Sequence, residues 1–239
     1  LKFFTDFYTC FLANIPELFV IAEPVFGSTL AAICQHEQSI VPRFIQLVTE
    51  VIEAKGLDTD GLYRVKKYCA LSGEDDVHVL TGALKLFFRE LSEPIFPASL
   101  AKDFIFANRL PNGETKVKAF DDLLNKLPLY NRETLKVLFR HLIQVSNHAD
   151  KNRMEIHNLA IMFGPSLFSS GNEVNNENRK GSSKKGKGSE KKSKEKPAGV
   201  QSNSHLAFNM IMQGQTVEYL LKEFKRFPSM QTAPVSSRK

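Results

Sequence analysis

The sequence reads as an all-α helical bundle, and three observations carry that expectation. Apolar residues recur at three- and four-residue spacing in one segment after another, the signature of one buried helix face. No stretch alternates apolar and polar residues in the manner of a half-buried strand. The chain has 239 residues, 42% hydrophobic and 24% charged, which is ample length to bury a core.

The elements follow in order. Residues 1–24 read as an N-terminal arm or flank. They are largely apolar, but Lys2, Asp6, Asn14, Pro16 and Glu17 interrupt them. Their longest unbroken apolar run, 18–22, is five residues, against about twenty for a spanning helix. They also lack the basic start and clean apolar centre of a signal peptide. With no initiating Met, the chain is expected to be a fragment of something longer.

Val41, Phe44, Ile45, Val48, Val51 and Ile52 predict a helix over 41–56. Gly56 is its expected stop, because glycine adopts the left-handed conformation at least cost. Leu80, Leu84, Phe87, Phe88 and Leu91 predict a second helix, ending before Pro94. Val117, Phe120, Leu123, Leu124 and Leu127 make a third stripe. Leu135, Leu138, Leu142 and Val145 make a fourth, with Asn131 as its candidate cap. A short apolar helix is expected over 155–162, stopped by Gly164-Pro165. The last stripe, over 206–227, runs through Val217, Leu220, Leu221 and Phe224.

Residues 169–204 fit no helix. They hold almost no large apolar side chains and are rich in Ser, Gly, Asn, Lys and Glu. Such a segment buries too little surface to offset its ordering entropy, so a disordered insertion is expected.

That insertion also explains the net charge of +6. Residues 179–197 carry nine Lys/Arg against two Glu, a local +7 that leaves the remainder at −1. A near-neutral body is no nucleic-acid surface, and no nucleic-acid partner is expected. Cys10, Cys34 and Cys69 are odd in number and have no paired spacing. Reduced thiols and a cytoplasmic location are therefore expected.

No self-contained active site is legible. The six histidines are scattered, and none pairs with a cysteine or another histidine at zinc-binding spacing. Neither a phosphate-binding G-x-x-x-x-G-K-[ST] loop nor a G-x-S-x-G elbow occurs. No metal site and no cofactor are expected. What remains is a set of polar residues in telling places. Arg64 lies just after a break at 56–60, between Tyr63 and Val65. Lys85 and Arg89 are i, i+4 neighbours, so two cations share one helix face. Asn158 sits inside an apolar helix, where asparagine is mildly unfavourable.

These residues fall in ordered blocks. They are Val25-Phe26-Gly27-Ser28-Thr29-Leu30; Val41-Pro42; and Gly56-Leu57 with Gly61-Leu62-Tyr63-Arg64-Val65. The run from Val77-His78 to Arg89-Glu90-Leu91 with Glu93-Pro94 follows, then Leu127-Pro128, and last Asn152-Arg153-Met154 with Asn158-Leu159-Ala160 and Phe163-Gly164-Pro165-Ser166-Leu167. In this order, over 25–227, they resemble the RhoGAP domain. The details are most similar to the branch whose members also carry SH3, WW and PH modules.

The resemblance implies a RhoGAP-like helical bundle that stimulates GTP hydrolysis by a Rho-family small GTPase of the Rac, Cdc42 or RhoA type. Such a domain activates a partner enzyme and has no active site of its own; GTP and Mg²⁺ belong to the GTPase. Arg64 falls on the family's arginine finger. Lys85 and Arg89 fall on its basic pair, the lysine facing the GTPase and the arginine bracing the finger loop. Asn158 and Pro165 fall on interface positions. The domain is then 25–227, interrupted at 169–204, with a tail at 228–239. Three features depart from the family pattern. Arg64-Val65 is followed by Lys66-Lys67-Tyr68-Cys69-Ala70 where the family has Ser-Gly and reaches Asp76 quickly, Ser92 replaces a proline, and the Lys-rich insertion is unusual. These departures imply an alternative, a Rho-GTPase-binding scaffold of low activity. The basic run 179–197 adds a further expectation, contact with an anionic membrane surface.

Overall fold

The computed structural model describes residues 27–64, 76–168 and 199–231, with side chains over 27–64, 77–168 and 207–231. Thr29 starts the first described helix, its Oγ1 accepting the N–H of Ala32 at 3.1 Å, and α1 spans Leu30–His36. The 41–56 stripe becomes α2, Arg43–Lys55, with Phe44, Ile45, Val48 and Ile52 facing inward. Gly56 does end α2, for a different reason from the one expected. Its φ of −127° is open to any residue. Space decides instead: a Cβ there would stand 2.4 Å from Cγ1 of Val77.

Helix α3 spans Asp76–Glu90, and α4, which the sequence reading lacked, spans Ala98–Ala107. Helices α5, Glu114–Lys126, and α6, Leu129–Ser146, carry the third and fourth stripes. Asn131 is not the cap of α6. The helix begins two residues earlier behind Pro128, and Asn131 is buried within it, donating from Nδ2 to the Ile95 carbonyl at 2.8 Å. A short α7 spans Ala149–Asn152.

Helix α8 runs over Ile156–Phe168, straight through Gly164-Pro165. The proline does not stop it because the turn on either side of it is buried. Phe163, Gly164, Ser166 and Leu167 all lie in the interior. Gly164 lets a partner helix come close: a Cβ there would meet backbone atoms of Gly214 at 2.7 and 2.9 Å. That partner is α9, Gly199–Lys222, which begins inside the segment read as a disordered insertion. The pair α8–α9 makes the most extensive helix contact of the fold. It runs antiparallel, since His157 meets Glu218 at 2.9 Å while Gly164 lies against Gly214.

A 3₁₀ turn at Phe224–Arg226 and α10, Pro228–Gln231, close the described chain. Packing continues past residue 227. Met230 is fully buried, and Asp121 accepts from both the N–H and the hydroxyl of Ser229, at 3.0 and 2.6 Å. No strand occurs among the described residues.

The core sits among α2, α3, α6 and α8, with α2 and α8 each packed against both α3 and α6. Aromatic side chains fill it. Phe44 stacks on Phe87 at 5.3 Å and Phe96 on Phe168 at 4.4 Å, with Phe104 edge-on to Phe96. Cys34 is buried here, and burial, with the nearby Glu37 charge, pushes its thiol up to about 12. Cys10, Cys69, the 1–24 arm and most of the 169–204 insertion lie outside the described residues.

Candidate functional site

The chain leaves α2 and turns back on itself through two left-handed residues, Gly61 at φ +67° and Tyr63 at φ +72°. Glycine takes that conformation freely, whereas for tyrosine it costs on the order of 1–2 kcal/mol. Such a conformation persists only where the surroundings over-determine it. Here they do. The Tyr63 ring is fully buried and meets the Phe163 ring edge-on at 5.0 Å. Its hydroxyl lies 2.5 Å from Nε2 of His141. Its carbonyl accepts from Lys85 Nζ at 2.7 Å.

The other side of the turn is fixed by α7. Gly61 donates its N–H to the Asn152 carbonyl at 2.9 Å. Asn152 is completely buried and joins three segments. Its Nδ2 donates to the carbonyls of Leu57 and Val145, and its Oδ1 accepts the N–H of Met154, all at 2.7 to 2.8 Å. Asp58 ties the same loop to α7 from outside through His148 and Lys151, at 2.8 and 2.7 Å. The hydrogen bonds and charges of Lys151 and His148 hold its carboxyl below the usual range.

Arg64 is the residue this scaffold presents. It is exposed, its N–H donates to the Gly61 carbonyl at 2.8 Å, and its guanidinium Nη2 reaches the Arg153 carbonyl at 3.2 Å. Asn158 donates from Nδ2 to that same carbonyl at 3.4 Å. Arg153 offers the carbonyl because it closes α7 in the left-handed conformation, φ +59°, with its own side chain toward Asp60. The guanidinium head is thus lightly docked on the Arg153 carbonyl.

The structure therefore gathers Arg64, Lys85 and Asn158 around one arm. Arg89 adjoins Lys85 and is exposed. Pro165 lies on α8, roughly 10 Å along the helix axis from Asn158. Lys85 is the residue bonded to the arm, and burial, with the Arg89 charge, lowers its pKa. The shortened segment after Arg64, from Val65 to the start of α3, lies outside the described residues.

Tyr63, Asn152 and Arg153 stand in the ordered sequence blocks without an assigned role, and sequence reasoning singled out neither His141 nor Glu53. One signal for His141 was present: it falls between Leu138, Leu142 and Val145 at i, i+3, i+4, i+7 spacing, on the face that α6 buries. Among the described residues no group of His, Cys, Asp and Glu is placed to hold a metal ion. No helix among them is long and apolar enough to cross a membrane.

Fold and site together define an all-α module that presents a braced arginine at its surface. The profile of the RhoGAP domain matches residues 42–172, and the chain belongs to that family. It is 54% identical to the Caenorhabditis elegans WW domain-containing protein tag-325 over 90% of this chain and 28% of that protein. It is 42% identical to human Rho GTPase-activating protein 27 over 66% of this chain and 20% of that protein. The chain thus spans less than a third of either relative. Among solved structures, human Rho GTPase activating protein 15 superposes with a TM-score of 0.65 at 32% identity, covering 92% of this chain and 98% of that one.

Proposed function

We propose that this chain is a GTPase-activating domain for a Rho-family small GTPase of the Rac, Cdc42 or RhoA type, with Arg64 supplied in trans as an arginine finger. The observation that carries the proposal is the exposed Arg64 guanidinium on an arm fixed through Tyr63, Gly61 and Asn152. Transfer of a γ-phosphoryl group to water asks for positive charge where charge develops and for little covalent chemistry. Arginine supplies it with a planar fork that is always charged and binds two oxygens at once. GTP and Mg²⁺ are the partner's; this chain contributes the finger, the Lys85 and Arg89 cations and the α8 face with Asn158 and Pro165. Phosphate release from GTP-loaded Rac, Cdc42 and RhoA, with and without the chain, tests the proposal. Acceleration of at least one is expected, and acceleration of none would overturn it.

Lys85 has a specific part. Because it bonds the carbonyl immediately before Arg64, Lys85→Met should lower the stimulated rate at saturating domain by roughly tenfold or more, beyond any loss of affinity. Titrating the variant to saturation separates the two effects. A loss confined to affinity, fading with salt, would return Lys85 to a surface role.

The departure of the chain from the family pattern between Val65 and Asp76 favours a second reading, a scaffold that binds the GTPase and scarcely activates it. Retention of GTP-loaded GTPase without faster hydrolysis would select it.

The Lys-rich run 179–197 is assigned to an anionic membrane surface, with the protein otherwise cytoplasmic. Each Lys or Arg near such a surface contributes about 1 kcal/mol. Sedimentation with liposomes should need anionic lipid and fade with added salt. Binding that survives deletion of 169–204 would exclude this role. The name of the Caenorhabditis elegans relative supports placing the domain in a longer protein that also carries a WW module.

A further inference from the structure

We infer that His141 and Glu53 are positioning residues for Arg64, acting through the hydroxyl of Tyr63. The kinetic consequence rests on the finger reading of Arg64; the structural coupling stands apart from it.

Tyr63 immediately precedes Arg64 and holds a left-handed backbone that a bulky side chain does not keep unaided. Its ring already has an apolar seat against Phe163. Ring packing alone would be served by phenylalanine, so the hydroxyl is the group that needs a reason. Its partner is Nε2 of His141 at 2.5 Å, on α6. The opposite nitrogen of that ring, Nδ1, lies 2.7 Å from Oε1 of Glu53, on α2.

The three groups fix one another's roles. The Glu53 carboxylate accepts from Nδ1–H, which leaves Nε2 as an acceptor, and the Tyr63 hydroxyl donates to it. Burial, with the Glu53 charge, holds the Tyr63 phenol well above its ordinary value, so it remains a donor. His141 is almost wholly buried, whereas the Glu53 side chain is 40% exposed. A hydrogen-bonded chain thus runs from a carboxylate at the surface of α2, through α6, to the residue before the finger. With the hydroxyl held by His141 and the carbonyl held by Lys85, Tyr63 is pinned at both ends.

Tyr63→Phe keeps the ring, and Glu53→Ala changes only the far end of the relay. Each should lower the single-turnover stimulated rate at saturating domain by about ten- to a hundredfold, with Kd for the GTP-loaded GTPase nearly unchanged. Glu53→Gln retains an acceptor oxygen and should restore most of the rate. In an Arg64→Ala background Tyr63→Phe should have no further effect on the saturated rate, since the two act as a unit. A second readout needs no GTPase. The Arg64 amide, bonded to the Gly61 carbonyl, should exchange its hydrogen faster in Glu53→Ala than in the parent chain, while the Leu124 amide in α5 should not. Unchanged saturated rates, effects that add to Arg64→Ala, or an unaltered Arg64 amide would each overturn the inference. Should the parent chain accelerate no GTPase, the finger reading falls, and amide exchange alone decides the coupling.

Discussion

Arg64→Ala is expected to abolish most of the stimulated GTP hydrolysis while leaving affinity for the GTP-bound GTPase largely intact. An arginine finger contributes about 10³–10⁵ in rate, or roughly 4–7 kcal/mol of barrier. Its charge is useful chiefly where the transition state carries more negative charge than the ground state, so the loss falls on the saturated rate. Docking survives because the α8 face, with Asn158 and Pro165, and the Lys85–Arg89 helix are untouched. Arg64→Lys should rescue poorly. An ammonium lacks the planar fork, and it could not both keep the Arg153 carbonyl and reach two phosphate oxygens. Single-turnover rates at saturating domain decide this, because saturation removes the binding contribution. Arg64→Ala at the parent rate would move activity elsewhere in the domain.

Gly164→Ala is expected to be the most damaging small substitution for the fold. The new Cβ would stand 2.7 Å from the Gly214 nitrogen, 2.9 Å from its Cα and 3.0 Å from the Gln213 carbonyl carbon. All three are backbone atoms, so no side chain can yield and α8 must part from α9. Overpacking of this kind costs about 3 kcal/mol, which exceeds the helix propensity of about 1 kcal/mol gained from alanine. The net loss of about 2 kcal/mol, at roughly 2–4 °C per kcal/mol for a domain of this size, should lower Tm by about 4–8 °C. Gly214→Ala is the control from the other helix. Its Cβ would meet Ile161 and Ala160 at 3.6 to 3.9 Å, ordinary contacts, so Tm should hold or rise. Paired thermal melts test the contrast, and equal losses in the two variants would contradict it. Because α8 also carries Asn158 and the Phe163 ring beneath Tyr63, Gly164→Ala should weaken activity as well.

Much of the bundle was legible because one buried face per helix leaves a periodic trace. The stripes of α2, α3, α5 and α6 read directly from Phe44 to Val145. Helix α4 escaped because its apolar residues include the exposed Phe106 and the only partly buried Ile105, which blurs the period. The reading of Gly164-Pro165 as a stop failed for a physical reason. Local rules treat glycine and proline as breakers, while here a backbone-to-backbone helix crossing requires the glycine and buries the turn around the proline. Gly56 and Asn131 were misread in the same way, as a local conformation and a local cap where Val77 and Ile95 lie far away in sequence. At the site, Arg64, Lys85 and Asn158 came from family blocks, and the structure adds what joins them. The carbonyls of Tyr63 and Arg153 are backbone atoms, invisible to any residue pattern. The Tyr63–His141–Glu53 relay draws on a turn and two separate helices, and each member looked like an ordinary core or surface residue.

The proposed finger role requires Arg64 to meet charge that develops on a partner's nucleotide during hydrolysis. Its most direct test is association of the chain with a GDP-loaded Rho-family GTPase in the presence and absence of aluminium fluoride, which with GDP mimics the phosphoryl group in flight. Transition-state analogues bind about 10²–10⁸-fold more tightly than ground-state ligands. Aluminium fluoride should therefore raise affinity by at least about a hundredfold for the parent chain, and by far less for Arg64→Ala. Equal affinity of parent and Arg64→Ala for the aluminium fluoride complex would rule out Arg64 as the finger.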